Sequence, residues 1–371
     1  MSLHDIIVER IRKNGPLSFL DFMEMALYHP IFGYYNSSQD KIGASGDFYT
    51  SPYLSASFGA MIGRQIEEMW EILEKKPFKI VEYGAGTGIL CHDILDYLKD
   101  NTSLYDNLTY CIIEKSSSMR KIEKKHLHEK VSWYNKIQDI PQINGCVLSN
   151  ELVDNFSVHQ VIMEDQLMEV FVDYKDNSFT EILKPAPQEL IDYFSELNVK
   201  LPTGFRTEVN MEAIFWIKEV AQTLNRGYVI TIDYGASSSE LYNIRRSWGT
   251  LLCYNKHHND TSPYQNIGEQ DITTHTNFSA LQHWGLKYGL EYSGIVNQAN
   301  FLLALGIKEY NETALKSTPS NLKSITNEMM INYRLLVDMG LKFKVLIQEK
   351  NVPKNLLKGL QFLNLSKITL T

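Results

Sequence analysis

Residues 79–90 read KIVEYGAGTGIL: an apolar run, an acid at Glu82, then glycines at 84, 86 and 88 opening into apolar helical spacing. A β-type run that feeds a glycine turn and then a helix sets backbone N–H groups and the positive end of a helix dipole beside a ligand. The spacing narrows which ligand. A dinucleotide fingerprint needs G-x-G-x-x-G, whereas here the third glycine comes one residue early and position 89 is Ile, so a pyrophosphate is disfavoured. Glu82, just before the glycines, attracts a cationic group where a phosphate would be repelled. The next β-type run, CIIEK, ends in Glu114, thirty residues beyond Gly84. Nicotinamide folds place their acid about twenty residues on, but an acid at Glu114 can still take both hydroxyls of a ribose.

Outward from this turn the chain changes period twice. Up to about residue 75 the apolar spacing is helical, in SLHDIIVERIRK, SFLDFMEMALY and SASFGAMIGRQIEEMWEIL, broken by the turn-rich segment HPIFGYYNSSQDKIGASGDFYTSP. Seven aromatics between Tyr28 and Tyr53 speak for order in that long connector, and its Thr50-Ser51-Pro52 end, with donors and a φ-fixing proline, suits a lid. From residue 78, short β-type runs alternate with helical ones, which predicts a parallel sheet covered by helices on both faces, with ligands at the carboxyl ends of its strands. Residues 157–184 read instead as antiparallel hairpins with polar turns at Glu164-Asp165 and 175–178, before the α/β rhythm returns at NMEAIFWIKEVAQTLNRGYVITIDYG.

The pattern E-x-G-x-G-x-G followed by an acid ending the next strand resembles the Rossmann-like methyltransferases that bind S-adenosylmethionine. In such a sheet the fourth strand, GCVLSNELVDNF, presents Asn150, Glu151 and Asp154 toward the transferred group. Two carboxylates three residues apart across a turn can converge on a planar guanidinium and fix its orientation. One of them, or His159 in SVHQV, would accept the proton. Asp233 and Tyr234 end the strand YVITIDYG and face the same cleft by the strand-end rule, although Asp154 and Asp233 would serve equally as helix caps.

Several motifs taken together resemble the MidA family: ALYHPIFGYY (26–35), GDFYTSP (46–52), EYGAGTG (82–88), SNELVDNFSVHQ (149–160), TGFRTEVN (203–210), RGYVITIDYG (226–235), GTLLCYNKHH (249–258) and DITTHTNF (271–278). That resemblance implies an S-adenosylmethionine-dependent protein arginine methyltransferase. It implies Gly84, Gly86 and Gly88 near the methionine moiety, Glu114 on the ribose, and Thr50, Ser51 and Pro52 over the cofactor, with Glu82 also lining that site. Glu151 would hold the acceptor guanidinium. The expected architecture is a Rossmann-like class I methyltransferase sheet, formed by residues 76–156 and 205–350. A helical region with a lid loop precedes it (1–75), a β-hairpin and helical insertion follows strand four (157–204), and residues 351–371 form a tail. Two other readings remain: a non-catalytic assembly factor that keeps the fold, and a methyltransferase acting on a small-molecule amine.

Composition fits this picture. The 371 residues are 44% hydrophobic and 22% charged, enough for a sizeable core, and a net charge of −8 disfavours a nucleic-acid partner. Cys91, Cys111, Cys146 and Cys253 are scattered through apolar stretches without a CxxC pair, the pattern of buried reduced thiols. His257, His258, His275 and His283 lack tetrahedral ligand spacing, so no metal is expected. The N-terminal stretch reads as a capped amphipathic helix instead of a targeting peptide, no run is long enough to span a membrane, and the expected location is cytoplasmic.

Overall fold

Alternation along the strands explains the centre of the molecule. Ile80, Tyr110, Ile112, Cys146, Leu148, Ile230 and Ile232 join one buried cluster, while their neighbours Val81, Cys111, Val147 and Val229 join another. A period of two with both faces apolar is the signature of a sheet sandwiched between helices. The computed structural model, which describes residues 2–36, 50–127, 130–255, 258–260, 262–317, 330–331 and 333–363, has this arrangement. Its main strands are β1 (Phe78–Tyr83), β2 (Leu108–Ile113), β3 (Val131–Tyr134), β4 (Ile143–Asn150), β5 (Leu224–Ala236), β6 (Glu291–Asn297) and β7 (Phe343–Lys350).

They lie in the order β6-β7-β5-β4-β1-β2-β3. Strands β1 to β5 run parallel to one another, and β7 runs antiparallel to both β5 and β6. Chain progress turns outward in opposite directions from β1 and β4, so these two adjacent strands form the topological switch point, where α/β sheets open a crevice. Tyr83 pairs with Ser149, and Asn150 pairs with Ile232. The glycine turn, the Glu151 loop and Asp233 therefore emerge side by side at one end of the sheet.

The helix Ala56–Ile72 covers one face with Phe58, Ile62 and Trp70, and the helix Met211–Thr223 covers the other with Trp216 and Ile217. Each large apolar side chain removed from water contributes about 1.5–3 kcal/mol, and this packing holds the strand ends in register. The four cysteines are all buried. A second sheet of five strands combines His159–Met163, Leu167–Lys175, Ser178–Pro185 and Arg206–Val209 with Leu17–Ser18 from the N-terminal region. Its tightest turn places Asp176 and Asn177 at φ 48° and 61°, the left-handed pair that a two-residue hairpin requires. Two of its strands come from outside residues 157–204, because edge pairing is a long-range contact that local pattern does not encode. A three-stranded sheet (Leu252–Asn255, His258–Asp260, Asp271–Thr273) stands beside the N-terminal helices, with Cys253 and Ile272 in their core cluster. Residues 351–363 pack on the main body, burying Leu357 and Leu360, and Gly359 donates its N–H to Gln65 Oε1 at 2.9 Å. No helix among the described residues is long and apolar enough to cross a membrane.

Candidate active site

The turn after β1 needs glycine for a backbone reason. Gly84, Gly86 and Gly88 have φ of 64°, 58° and 82°, a region in which a side chain costs roughly 1–2 kcal/mol. They curl the chain beneath a cavity of about 900 Å³ lined by Gly84, Gly86, Glu82, Glu114, Thr50 and Pro52 among others. Gly88 does not line it. It starts the helix Ile89–Leu98, and a Cβ there would come within 2.9 Å of Leu127, so its role is close packing. Glu82 is buried and accepts the Tyr110 hydroxyl at 2.7 Å; burial pushes its carboxyl up to about 7. Glu114 stands at the end of β2 with one oxygen accepting Ser116 N–H at 2.6 Å, and burial raises it too.

Ser51 also stays out of this cavity. Its N–H donates to Glu151 Oε1 at 3.3 Å and its hydroxyl to Gln298 Oε1 at 3.2 Å, so it ties the segment after the connector to the acidic loop. Gly46, Asp47, Phe48 and Tyr49 of the GDFYTSP motif, and most of the expected lid loop, lie outside the described residues.

The loop after β4 is held from below. Asp233, fully buried at the end of β5, accepts the N–H groups of Val153 (2.9 Å) and Asp154 (3.2 Å) on one oxygen and that of Tyr234 (2.9 Å) on the other. Asp233 is thus a positioning group for the loop. Glu151 has φ of 51°, a left-handed conformation unusual for a side chain of its size, and its N–H bonds to Ile232 O at 2.9 Å. Its Oε1 accepts Asn150 Nδ2 at 3.2 Å as well as Ser51. Asp154 is 3% exposed and accepts Asn155 Nδ2 at 3.1 Å. The side-chain oxygens of Asn150 and Asn155 are buried with no hydrogen-bond partner among the described residues.

Burial pushes Glu151 up to about 8 and Asp233 up to about 7, and raises Asp154 well above the usual carboxylate range. The charges acting on Glu151 and Asp154 are those of other acids, Asp233 and Asp271. Buried acids that repel one another cost stability, and such clusters mark places built to receive a cation. Glu151 and Asn155 line the first cavity and also a second one of about 890 Å³, which contains Asp154, Asp271, Tyr234 and His275. The two spaces meet at Glu151.

His159 is not brought there. It lies on the second sheet with Nδ1 2.6 Å from Glu169 Oε1, and it lines neither cavity; the strand that carries it diverges from β4 to pair with Arg206–Val209. His275 does line the second cavity. Its Nδ1 accepts from Arg246 at 3.0 Å, and burial together with the Arg246 charge lowers the ring to about 4, so it is neutral near pH 7. His283 faces Glu196 at 2.9 Å far from both cavities, His257 lies outside the described residues, and no group of three or more metal-ligating side chains occurs among the described residues.

Sequence reasoning missed three contributors. Asp271 accepts the Tyr35 hydroxyl at 3.0 Å, linking the second cavity to the first, which Tyr35 lines. Residues 135–139 close the donor cavity beyond β3, and the strand-end rule applied to VSWYN points to them. Trp216 and Phe215 reach the same cavity from the helix Met211–Thr223, and no local signal distinguishes them from core residues.

A nucleoside and an amino-acid chain fit this first cavity. The glycine turn admits a close ligand, Glu114 keeps an oxygen for ribose hydroxyls, and Met119 and Ile137 offer an apolar slot. The family model Methyltransf_28, of S-adenosyl-L-methionine-dependent methyltransferases, matches residues 61–296. The chain belongs to this family. It is similar to a Burkholderia thailandensis protein crystallised with S-adenosyl-homocysteine, at 27% identity and a TM-score of 0.87 over 97% of this chain and 94% of that one. It is also similar to the mitochondrial protein arginine methyltransferase NDUFAF7 of Bos taurus, 27% identical over 92% of this chain and 81% of the relative. The Caenorhabditis elegans homologue is 26% identical over 92% and 85%. The MidA resemblance, the class I sheet and the cofactor expected from the glycine turn all hold: this Methyltransf_28 member is a methyltransferase that uses S-adenosylmethionine.

Proposed function

We propose that the acceptor is an arginine side chain of a protein. The observation that carries this reading is the group of acids, half-buried Glu151 with buried Asp154 and Asp271, in a cavity that touches the donor cavity at Glu151. A guanidinium presents planar paired donors, and carboxylates on two sides fix that plane as well as its charge. The names of the mitochondrial relatives agree with this acceptor.

When bound, S-adenosylmethionine supplies a methyl group made electrophilic by a sulfonium. Glu151 and Asp154 then orient one guanidinium nitrogen toward the donor cavity, and such orientation can lower a barrier by about 7–11 kcal/mol. The nitrogen that gains a methyl must lose a proton. Glu151 takes it, being the carboxylate common to both cavities and, by burial, a stronger base than a carboxylate in water. Asp233 keeps the loop in place through backbone N–H groups, while the buried walls limit water.

The test is incubation of the protein with a cell lysate and methyl-labelled cofactor, followed by mass spectrometry of labelled peptides. Label on an arginine nitrogen is expected. Label confined to small amines, or cofactor binding with no transfer, would overturn the reading in favour of an amine methyltransferase or an assembly factor.

A further inference from the structure

The second cavity is lined by charges of both signs. Asp154 and Asp271, 3% and 2% exposed, line it together with Glu151, which also lines the donor cavity. Its remaining charged lining includes Arg246, Arg334, Lys342 and Lys344, of which Lys342 is solvent-exposed and the others half-buried. Apart from the inner acids, the lining therefore carries four cations against two acids, Glu240 and Asp338. Both of these acids are engaged: Glu240 accepts from Ser237 in a capping box, and Asp338 pairs with Lys342 at 2.7 Å. Lys344 donates to Leu341 O at 3.0 Å and feels the charge of Glu240, while Arg246 donates to neutral His275.

The walls also carry apolar surface. Leu341, itself a lining residue, is 56% exposed, and Leu252 and Met339 line the same cavity. A small cationic amine would satisfy the inner acids and leave the cations and these side chains without a use. A polypeptide whose arginine enters the cavity would present its flanking residues to them.

We infer that the mouth of the acceptor cavity selects a protein segment carrying an acidic side chain beside the arginine. The inference rests on the arginine reading above and adds to it the charge of the neighbouring residues. Opposite charge at a partly exposed rim chiefly sets partner choice and encounter rate. The guanidinium goes to the acids and the flanking carboxylate to Arg246 and the lysines, so a segment with basic flanks meets like charge at the same rim.

The experiment uses fluorescent peptides and the full chain saturated with S-adenosyl-homocysteine, with binding read by anisotropy. One peptide has an arginine flanked by glutamates, a second has the same arginine flanked by lysines, and a third keeps the glutamates but replaces the arginine by alanine. Roughly fivefold or greater preference for the first over the second is expected at low salt. It should shrink toward 1 M salt, where the screening length falls to about 3 Å. Lys342→Glu, at an exposed position, should narrow the gap, and Lys342→Glu with Arg246→Glu should invert it. Equal affinities, tighter binding of the lysine-flanked peptide, an order unmoved by either variant, or no binding by any peptide would overturn the inference. The alanine peptide separates the two readings. Its failure to bind supports both, whereas binding as tight as the first peptide's, with the preference for glutamate intact, leaves the rim assignment standing and removes the arginine.

Discussion

The donor and acceptor cavities share a wall and nearly the same volume, about 900 and 890 Å³, yet they are built in different ways. The donor cavity is a backbone device. Its floor is Gly84 and Gly86 at positive φ, set at the switch point by the pairing of β1 with β4, and its acids Glu82 and Glu114 lie at the ends of consecutive strands. The acceptor cavity is a side-chain device. Its charged groups come from the β4 loop, the segment after β5, the strand Asp271–Thr273, the helical turns Arg334–Asp338 and Met339–Lys342, and the start of β7. A backbone site is fixed once its strands pair. A charge cluster exists only when distant segments have docked.

That contrast can be broken by experiment. The largest effect is expected from Glu151→Gln, which keeps the shape of the shared wall but removes both the charge and the proton acceptor. Turnover should fall by about 10²-fold, with S-adenosyl-homocysteine affinity by calorimetry changing less than about twofold. A comparable loss of both would mean that the two cavities are not functionally separate.

Gly86→Ala should do the reverse. Restoring a left-handed turn against a Cβ costs about 1–2 kcal/mol, so cofactor affinity is expected to drop roughly tenfold while affinity for an arginine peptide holds. Unchanged cofactor binding would show that the turn's conformation is not what grips the ligand.

The smallest effect concerns pH and sharpens the acceptor side. Because Glu151 titrates near 8 in the free protein and lower when unfolded, the folded state retains a proton between those values. Stability of the unliganded protein should therefore decrease as pH rises through that window. A bound cation favours the ionised carboxylate, so affinity for a guanidinium should rise roughly fivefold between pH 7 and pH 8 for one linked proton. Calorimetry in buffers of different ionisation enthalpy would record the released proton, and Glu151→Gln should flatten the dependence. A flat profile in the unaltered protein would remove Glu151 from the acceptor's contacts.

Glu82, Gly84, Gly86 and Glu114 could be picked out from KIVEYGAGTGIL and CIIEK because strand, turn and helix signals are local and each residue's position follows from its own neighbours. Glu151 and Asp154 were legible for the same reason, standing just past a buried strand. His159 was not, because alternation along SVHQV does not say which sheet the strand will join, and it joins the one that leads away from the cleft. Gly88 matched the motif but serves packing against Leu127, a contact across many residues. Asp271 and Tyr35 escaped notice because their meeting at 3.0 Å joins segments 236 residues apart.

The amino-acid order alone settled the glycine turn, the apolar period of the strands and the kind of cofactor, since those depend on φ preferences and on hydrophobic spacing within a few residues. The tertiary structure alone decided that Asp233 would brace the β4 loop, and that Asp271, Glu151 and four cations, Arg246, Arg334, Lys342 and Lys344, would line one cavity. Such groupings depend on desolvation and Coulomb forces acting between groups brought close in space, and these act irrespective of distance along the chain.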